Sequence, residues 1–429
     1  MFKMTSTAKR GVFEDDFNED LFLQVIKNIS KDAEYVGHEQ VDLGSKDGVM
    51  SDLVTNDDTE KPIVGLRAFK IRYRHGDEAS EHDKTVVFKI KTNSNNVIGL
   101  LMHVIGQMIE ISTIKEIMAK TVPQYIKHSE RREIAFYKTS NPICKAFHPE
   151  ILMTRADTDR DVYLIAMENL QTDDFTHLNT TFDPTKWSEK ERQIALEELA
   201  RFHSVYYGNT EAIPDELRKL IEESNVFNPL ADMKDREGLR VLVEHFYENR
   251  AERFDSEMSN ILQKSWEKMD DVCAIIGGSP LTLTHGDFGP QNMCLRKAPK
   301  PDESRLCVYD WETIKITPPQ TDVVYFICKM LPANSPAEKW YEYLEIYRVS
   351  LLDELQKREA NEDVIQSVSD KGRFKAVFDM CMFNRLWYRL GLFIRYPQIL
   401  PAAVPRQHEI DNVSTFVKGF ASEYAFLKD

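Results

Sequence analysis

The sequence has 429 residues, 42% apolar and 29% charged, which is ordinary for a globular enzyme with more than one lobe. Its formal net charge of −15 excludes nucleic acids and anionic membrane surfaces as main partners, because these bind basic patches. The six cysteines form no C-x-x-C pair and no zinc-ligand spacing, and the first residues lack the apolar core of a signal peptide. We therefore expect a reduced, cytoplasmic protein that does not insert into membranes.

The first part of the chain predicts one helix and then mostly β-structure. Apolar residues recur every fourth position within 14–32, which indicates an amphipathic helix. After a glycine-containing segment, the runs IVGLRAFKIRYRH and KTVVFKIKT predict two strands, joined by the polar loop GDEASEHD. Helices are predicted over 97–120 and from Ser129, the expected N-cap of the second. EILMTRADTDRDVYLIAMENL predicts another strand pair, with a turn at Asp157–Asp161.

The remainder of the chain is predicted to be mostly helical. Ser188 and Glu191 form a capping box at the start of WSEKERQIALEELARFHSVYYG. Further helices are predicted at about 232–275, 335–358, 372–392 and 410–427, with a short β region at 281–316. We expect an α+β fold that is β-rich up to about residue 170 and mostly helical beyond it.

Two loops of the short β region carry residues that suit phosphoryl transfer. LTHGDFGPQNMCLR places Asp287 and Asn292 in a tight loop between apolar runs, and RLCVYDWE places Asp310 where a strand ends. Mg²⁺ prefers oxygen ligands and binds through one or two carboxylates together with phosphates, so Asn292 and Asp310 are candidate ligands. Asp287 can then accept the proton of a hydroxyl or orient that hydroxyl. A simple polar turn is the alternative, because both residue types favour turns.

These motifs resemble those of the aminoglycoside phosphotransferase and choline kinase group, which has the protein kinase-like fold. H-G-D-x-x-x-x-N followed by D-W-E is most similar to the choline kinase-like (CHK) and ecdysteroid kinase-like branch. LARFHSVYYG, YLIAMENL, RREIAFY, TDVVYFI and FNRLWYRLG also look like segments of the group, and the resemblance covers about residues 40–395. It implies a helical extension (1–39), a small β-rich N-lobe that binds the nucleotide (40–170, with a helical insertion at about 97–128) and a larger helical C-lobe (171–429). It also implies catalytic and metal loops at 285–292 and 310–312, and ATP and Mg²⁺ as cofactors.

The resemblance also implies roles for particular residues. Asp287 matches the catalytic base, and Asn292 and Asp310 match the metal ligands. Lys89 matches the lysine that binds the α- and β-phosphates, and Glu133 matches the helix glutamate that orients this lysine. The remaining matches are nucleotide contacts of the hinge and of the phosphate-covering loop, namely Met167, Glu168, Asn169, Leu170, Gly44, Ser45, Gly48 and Ser51.

Alternatives to some of these assignments stay open. Lys91 shares a strand face with Lys89 and is the alternative lysine. Glu110 or Glu116 would replace Glu133 if an inserted helix supplies the lysine's partner. The glycine-containing segment departs from the spacing G-x-G-x-x-G.

Other polar and aromatic residues have structural interpretations. We expect His203 to be structural, His285 to brace its loop, and Asp322 to cap a helix. The aromatic residues of the second half could enclose a cation, but helical spacing favours a core role; they are Trp311, Trp340, Tyr341, Tyr343, Tyr347, Trp387 and Tyr388.

The predicted function is that of an ATP-dependent kinase that transfers the γ-phosphate to a hydroxyl of a small-molecule acceptor. A protein kinase is one alternative. It is disfavoured because no arginine stands directly before Asp287 and no A-P-E segment is present. A degenerate kinase fold that serves as a binding or scaffold protein is the other. The presence of a base, two metal ligands and a strand lysine disfavours it. The acceptor itself is not indicated, because fold does not determine substrate.

Overall fold

The computed structural model describes residues 10–43, 62–76, 80–96, 126–177, 186–224, 254–301, 303–332, 334–386 and 407–427. Several predicted features lie outside these residues: Gly44, Ser45, Gly48, Ser51, Glu110, Glu116, Trp387, Tyr388 and most of the insertion at 97–128. Among the residues that are described, no helix combines the length and the apolar character needed to cross a bilayer.

A five-stranded antiparallel sheet forms the first part of the structure. Its strands are β1 (Ala33–Val41), β2 (Gly65–His75), β3 (His82–Lys91), β4 (Ile151–Asp157) and β5 (Val162–Glu168), in the spatial order β1-β2-β3-β5-β4. Both predicted strand pairs are confirmed, including the turn between β4 and β5. Strand β3 begins two residues inside the predicted hairpin loop, so the connection from β2 is shorter than expected.

The N-terminal segment differs from the single helix predicted over 14–32. A 3₁₀ turn at Glu14–Asp16 is followed by helix α1 (Glu19–Ile29), and strand β1 then occupies residues that were not predicted to be β. Ala33 is the one buried residue of β1, which is an edge strand. A strand that buries few side chains needs few apolar residues. The sequence of β1, AEYVGHEQV, therefore lacks the apolar alternation that identifies a strand. The strand also crosses the predicted boundary at residue 39.

Strand β3 separates two hydrophobic cores. Phe88 belongs to the core that the sheet forms with helix α1. Successive side chains of a strand point to opposite faces, so Lys89 and Lys91 both project from the other face. Helix α2 (Ser129–Tyr137) lies on that face, in contact with the neighbouring strands β4 and β5. Two lysines are therefore directed at one helix.

The predicted N-cap of helix α2 is wrong. Ser129 is the first helical residue, and the cap position belongs to His128, whose φ of 61° is left-handed and whose side chain makes no capping hydrogen bond. The backbone N–H of His128 donates instead to Ser94 Oγ at 3.2 Å. The chain thus enters the helix through a left-handed residue. Ser129 already lies inside the helix, so its side chain is not at the position that caps the first turn.

Helices dominate the described residues beyond β5. Helix α4 begins at the predicted capping box, which is confirmed: Glu191 N–H donates to Ser188 Oγ, and Ser188 N–H donates to the Glu191 carboxylate. In the region of about 232–275, where helices were predicted, the described residues form α6 (Ser256–Glu267) and α7 (Met269–Gly277). Among the described residues, the helices that follow α2 are α3 (Pro142–Phe147), α4 (Glu189–His203), α5 (Asp215–Ser224), α6 (Ser256–Glu267), α7 (Met269–Gly277), α8 (Gln320–Met330), α9 (Ala337–Lys357), α10 (Glu362–Ser369), α11 (Lys371–Arg385) and α12 (Gln407–Ala421).

Short strands within the helical part carry the two polar loops. They are β6 (Phe175–Thr176), β7 (Thr282–Thr284), β8 (Met293–Arg296), β9 (Leu306–Val308) and β10 (Lys315–Thr317). Strand β7 pairs with β10, and β8 pairs with both β6 and β9. The loop at 285–292 therefore joins β7 to β8, and the loop at 309–314 joins β9 to β10. An antiparallel sheet followed by a helical part is the predicted α+β class.

Candidate active site

The loop at 285–292 restrains the carboxylate of Asp287 with side-chain amides. Asn292 Nδ2 donates to Asp287 Oδ2 at 3.1 Å and to the Asp287 carbonyl oxygen at 3.0 Å. Gln291 Nε2 donates to the same Oδ2 at 3.2 Å. Because the nitrogen of the Asn292 amide is used in this way, the amide oxygen is the atom that can ligate a metal. The structure thus brings the candidate base and one candidate ligand together.

A buried aspartate holds this loop from behind. The Asp322 carboxylate accepts hydrogen bonds from the backbone N–H groups of His285 at 2.7 Å and Gly286 at 2.9 Å. The His285 ring contacts the Tyr309 carbonyl oxygen through Nε2 at 3.0 Å and accepts the Asp287 N–H at Nδ1. His285 therefore braces the loop, as expected, and links it to the second loop.

Asp322 is not the helix cap that the sequence predicted. Pro319 occupies the N-cap position of α8, and Asp322 lies in the first turn, where the loop uses both of its oxygens. His203, fully buried, bonds to Asp322 at 3.3 Å and to the Tyr347 hydroxyl at 2.7 Å. Burial lowers the pKa of His203. Burial alone would raise the pKa of Asp322, but its hydrogen bonds and the charge of His203 outweigh this effect and lower it. His203 is structural, as expected.

The backbone conformation and the close surroundings of Gly286 explain why the motif has glycine between its histidine and its aspartate. Its φ of 82° is left-handed, and a Cβ at this position would lie 2.4 Å from the carbonyl oxygen of Thr313. Glycine alone adopts such a conformation without cost and leaves room for that close approach. The two polar loops are therefore in direct contact at this residue.

Two lysines of β3 share one glutamate of α2. Lys89 Nζ lies 2.9 Å from the Glu133 carboxylate and 2.5 Å from Asp310 Oδ1. Lys91 Nζ lies 2.7 Å from the same carboxylate and 2.8 Å from Glu312 Oε2. Glu133 is fully buried between them. The sequence implied the Lys89–Glu133 contact, and the structure adds a second ion pair within the D-W-E motif.

The pKa values in this network reflect burial in competition with charge pairing. Burial alone would raise the pKa of Glu133, but Lys89 and Lys91 outweigh it and lower that pKa to about 2. Burial alone would lower the pKa of Lys89, but Asp310 and Glu133 raise it. Asp310 keeps a raised pKa, because burial exceeds the effect of Lys89. Further positive charge near Asp310 would therefore stabilise its carboxylate.

The donor set of this region fits a magnesium ion. Glu133, Asp310 and Glu312 each offer a carboxylate oxygen, and the three oxygens lie within 4.8 Å of one another. Asn292 is adjacent, because its carbonyl oxygen accepts the N–H of Tyr309 at 3.0 Å. Asp310 has a left-handed backbone, with φ 66° and ψ 56°, a conformation that aspartate adopts more readily than most non-glycine residues. All the available donors are hard oxygens, the type that Mg²⁺ prefers.

The segment predicted to contact adenine follows the central strands of the sheet. Met167 and Glu168 end strand β5, which pairs with the lysine-bearing strand β3. Asn169 and Leu170 follow, and the Leu170 carbonyl oxygen lies 2.7 Å from Nε2 of His177. This segment therefore connects the sheet to the helical part. Its nucleotide contacts stay a prediction.

Most of the described aromatic residues from the predicted set belong to the hydrophobic core. Trp311, Trp340, Tyr343 and Tyr347 are buried. Tyr341 is partly exposed, and the ammonium of Lys375 lies 4.4 Å from the centre of its ring. The core interpretation therefore holds for the four buried rings.

The comparison with protein families identifies the chain's relatives. The model of the ecdysteroid kinase-like family matches residues 68–359, a range that includes both polar loops, both lysines of β3 and the hinge segment. This chain belongs to the ecdysteroid kinase-like family. Together with the antiparallel sheet and the helical part that follows it, membership confirms the expected protein kinase-like fold. Membership in the ecdysteroid kinase-like family also supports a small-molecule kinase in general.

Solved structures resemble this ecdysteroid kinase-like chain at low identity. Choline kinase LicA from Streptococcus pneumoniae is 12% identical, covering 90% of this chain and 98% of its own, with a TM-score of 0.36. Choline kinase from Cryptosporidium parvum Iowa II is 8% identical, covering 94% and 97%, with a TM-score of 0.41. Aminoglycoside 2'-phosphotransferase-IIIa, solved with GDP, is 11% identical, covering 92% and 98%, with a TM-score of 0.41. Such values carry no argument about substrate. No curated protein matches the chain.

Sequence reasoning missed side chains of the site that lie within its own motifs. Gln291 contacts Asp287, and Glu312 contacts Lys91. Both lie inside motifs that were singled out, one beside Asn292 and the other two residues after Asp310. Their position in a tight loop that already carried a candidate functional residue is the feature of the sequence that could have identified them.

Proposed function

We propose that this protein is an ATP-dependent kinase that transfers the γ-phosphate to a hydroxyl group of a small molecule. Asp287 is the base, and Asn292 and Asp310 hold Mg²⁺. The observation that supports this best is the position of Lys89, whose ammonium contacts Glu133 and Asp310 at once. This arrangement joins a phosphate-binding cation, the residue that orients it and a metal ligand in one ion-pair network.

The residues of the sheet bind and orient the nucleotide in this proposal. Lys89 contacts the α- and β-phosphates, and Glu133 fixes the lysine in place. The backbone of Met167–Leu170 contacts adenine. The predicted phosphate-covering residues Gly44, Ser45, Gly48 and Ser51 complete the set. When bound, Mg²⁺ supplies positive charge that neutralises the β- and γ-phosphate oxygens.

The residues of the first polar loop act on the acceptor. Asp287 accepts the proton of the attacking hydroxyl, or orients that hydroxyl for in-line attack. Gln291 and Asn292 restrain Asp287 Oδ2, so the carboxylate meets the acceptor in a fixed orientation. Restraint of this kind lowers the entropic cost of reaching the reactive geometry.

The first experiment measures the melting temperature with ATP and MgCl₂. Binding to the folded state alone adds RT ln(1 + [L]/Kd), about 2.7 kcal/mol at a hundredfold excess over Kd. We expect a clear rise for the wild type, and a much smaller one for Asp310→Asn, which keeps a residue type that tolerates a left-handed backbone. The control is Asp353→Asn, an exposed aspartate of α9 that pairs with Lys357. An unchanged melting temperature in folded wild type would contradict the proposal.

The acceptor class requires a second experiment. ATP consumption is measured against panels of choline-like amines, steroids, aminoglycosides and sugars. Phosphorylation of a hydroxyl in one panel supports the proposal and names the class. Stabilisation by ATP and Mg²⁺ without transfer to any acceptor or to water would instead identify a degenerate kinase fold that binds nucleotide.

A further inference from the structure

A lysine outside every recognised motif lies beside the candidate base. Lys329, near the C-terminal end of α8, places its Nζ 3.7 Å from Asp287 Oδ1 and 3.3 Å from Gln291 Oε1. The residue is 8% exposed, so its ammonium is largely removed from solvent. Burying a charge is costly unless it is paired, and this charge is paired with the loop that carries Asp287.

Gly289 provides the space that this lysine occupies. A Cβ at residue 289 would lie 2.9 Å from Lys329 Nζ and 2.6 Å from Gln291 Oε1. The backbone of Gly289 has a φ of −151°, which any residue can adopt. Steric room, and not backbone conformation, is therefore what glycine supplies here. The ammonium and the Gln291 amide fill the volume that another side chain would take.

The simplest structural explanation for Lys329 is its interaction with the helix dipole. Cations near a helix C-terminus are favourable, and Lys329 lies in the last turn of α8. That interaction requires no contact with another loop, however, and an exposed ammonium would satisfy it. The contacts with Asp287 and Gln291 and the burial of the side chain go beyond what the helix dipole requires. The contacts place the ammonium beside the candidate base.

We propose that Lys329 is a positioning residue for the phosphoryl-transfer step, acting through Asp287. This inference rests on the function proposed above. The Lys329 ammonium attracts Asp287 Oδ1 across 3.7 Å, while Gln291 and Asn292 donate hydrogen bonds to Oδ2, so the two oxygens of the carboxylate are restrained from different sides. Lys329 also donates to Gln291 Oε1 at 3.3 Å and so orients the amide that donates to Asp287. The base is thereby held in orientation before the acceptor arrives.

The test compares Lys329→Met, which keeps the length of the side chain without its charge, with Lys329→Arg, which keeps a charge. Transfer from radiolabelled ATP to water, or to an acceptor from the panels, is the activity measured. We expect Lys329→Met to lower kcat by roughly tenfold, less than the about 10²-fold that a 1 Å misplacement of a catalytic group can cost, because Gln291 and Asn292 still restrain Asp287. KM for ATP and the stabilisation by ATP and Mg²⁺ should stay unchanged. Lys329→Arg should retain at least about threefold more activity than Lys329→Met.

A double variant separates positioning from a general structural role. If Lys329 acts through Asp287, Lys329→Met should cause no further loss of kcat once Asp287→Asn is present. In the protein without nucleotide, the effects of the two substitutions on melting temperature should be non-additive as well. Gly289→Ala is a second route to the same defect, because its Cβ displaces the ammonium together with the Gln291 amide that the ammonium contacts. Lys371→Met is the control, an exposed lysine that pairs with Glu345.

The outcomes distinguish this inference from the proposed function. A wild type that neither gains stability from ATP and Mg²⁺ nor transfers phosphate overturns both. An active wild type with Lys329→Met within about twofold of its rate overturns the inference alone. Independent, multiplicative losses for Lys329→Met and Asp287→Asn also overturn it. If Lys329→Met does not fold, Gly289→Ala decides, and full activity in that variant counts against the positioning role.

Discussion

At the scale of single residues, Asp287 and Asp310 differ in the groups that surround them. Asp287 accepts hydrogen bonds from the amides of Gln291 and Asn292 and has the Lys329 ammonium at 3.7 Å, whereas Asp310 lies 2.5 Å from the ammonium of Lys89. Hydrogen bonds from amides orient a carboxylate, while a close ammonium joins Asp310 to the proposed phosphate-binding network. The two aspartates should therefore fail in different ways when they are changed.

Asp287→Asn should leave the stabilisation by ATP and Mg²⁺ nearly intact and lower turnover by about 10²–10⁴, the usual cost of losing a general base. Asp310→Asn should remove most of the metal-dependent stabilisation. Calorimetry of nucleotide binding, with and without Mg²⁺, together with single-turnover transfer, measures the two effects separately. If Asp287→Asn abolished binding while Asp310→Asn spared it, the assignment of the two loops would be reversed.

The sequence predicted that Asp287 and Asn292 lie together because they share a short motif, and it missed contacts of this loop with a distant helix. Asp287 and Asn292 stand five positions apart, so a single loop had to bring them together. Asp322 lies in a different element, and its proximity to proline favoured a helix cap over the backbone of a distant loop. Lys329 was missed for the same reason, since only the folded chain places α8 beside Asp287.

At the scale of secondary structure, strand β3 presents two lysines to one helix. The alternation of side chains predicted that Lys89 and Lys91 share a face. It could not predict that Lys91 would also bind Glu312, because that contact depends on how the helical part meets the sheet. The lysine that contacts the candidate metal ligand Asp310 is Lys89, and this difference gives the two residues different expected roles.

Lys89→Met should lower turnover sharply, and Lys91→Met should cost at least about threefold less, because Lys91 acts on Glu133 and Glu312 and not on Asp310. Glu133→Gln should reproduce much of the Lys89 defect. A double-mutant cycle of Lys89 with Glu133 should show a coupling of about 0.5–3 kcal/mol.

Lys84→Met is the matched control for these lysine variants. Lys84 lies on the same strand and pairs with Glu150 at the surface of the sheet, so its loss should leave turnover unchanged. Strict additivity of Lys89 and Glu133 would contradict the orienting role of the glutamate. Equal defects in Lys89→Met and Lys91→Met would contradict the distinction between the two lysines.

At the scale of the whole molecule, a buried carboxyl connects three parts of the helical region. Asp379 of α11 accepts hydrogen bonds from Tyr341 of α9 and from Tyr424 beyond α12, and it pairs with Lys375 at 2.8 Å. Burial raises the pKa of Asp379 from 3.8 to about 6, although Lys375 and the two tyrosines oppose that rise. This carboxyl therefore binds its proton more tightly in the folded protein than in the unfolded chain.

Because the folded protein binds this proton more tightly, the Asp379 contribution to the free energy of unfolding falls as the pH rises. A raised folded-state pKa stabilises the fold below the unfolded value of 3.8, and this contribution is lost as pH rises to about 6. We expect the stability of the wild type relative to Asp379→Asn to fall as pH rises through that window and to become constant above it. Melting temperatures of both proteins from pH 4 to pH 7 measure the difference, with Asp353→Asn as the exposed control. Parallel curves for wild type and Asp379→Asn would contradict the prediction.

The fold class was predictable because its evidence is local. Strand pairs separated by turn residues and helices with caps can be read from neighbouring positions, as the capping box at Ser188 shows. The strand order cannot be read in this way, since β3 pairs with β5 across a long stretch of chain. Strand β1 escaped prediction because an edge strand with one buried residue carries little hydrophobic pattern.

The hairpin formed by β8 and β9 determines how the candidate metal ligands would respond to a movement of the five-stranded sheet. Asn292 directly precedes β8, and Asp310 follows two residues after β9, so one rigid hairpin sets the spacing of both candidate ligands. Lys89 belongs instead to the five-stranded sheet. A rotation of that sheet about the hinge segment would lengthen the contact between Lys89 and Asp310 and leave the ligand spacing unchanged. Movement of the sheet away from the helical part would thus break an ion pair without separating the two candidate metal ligands.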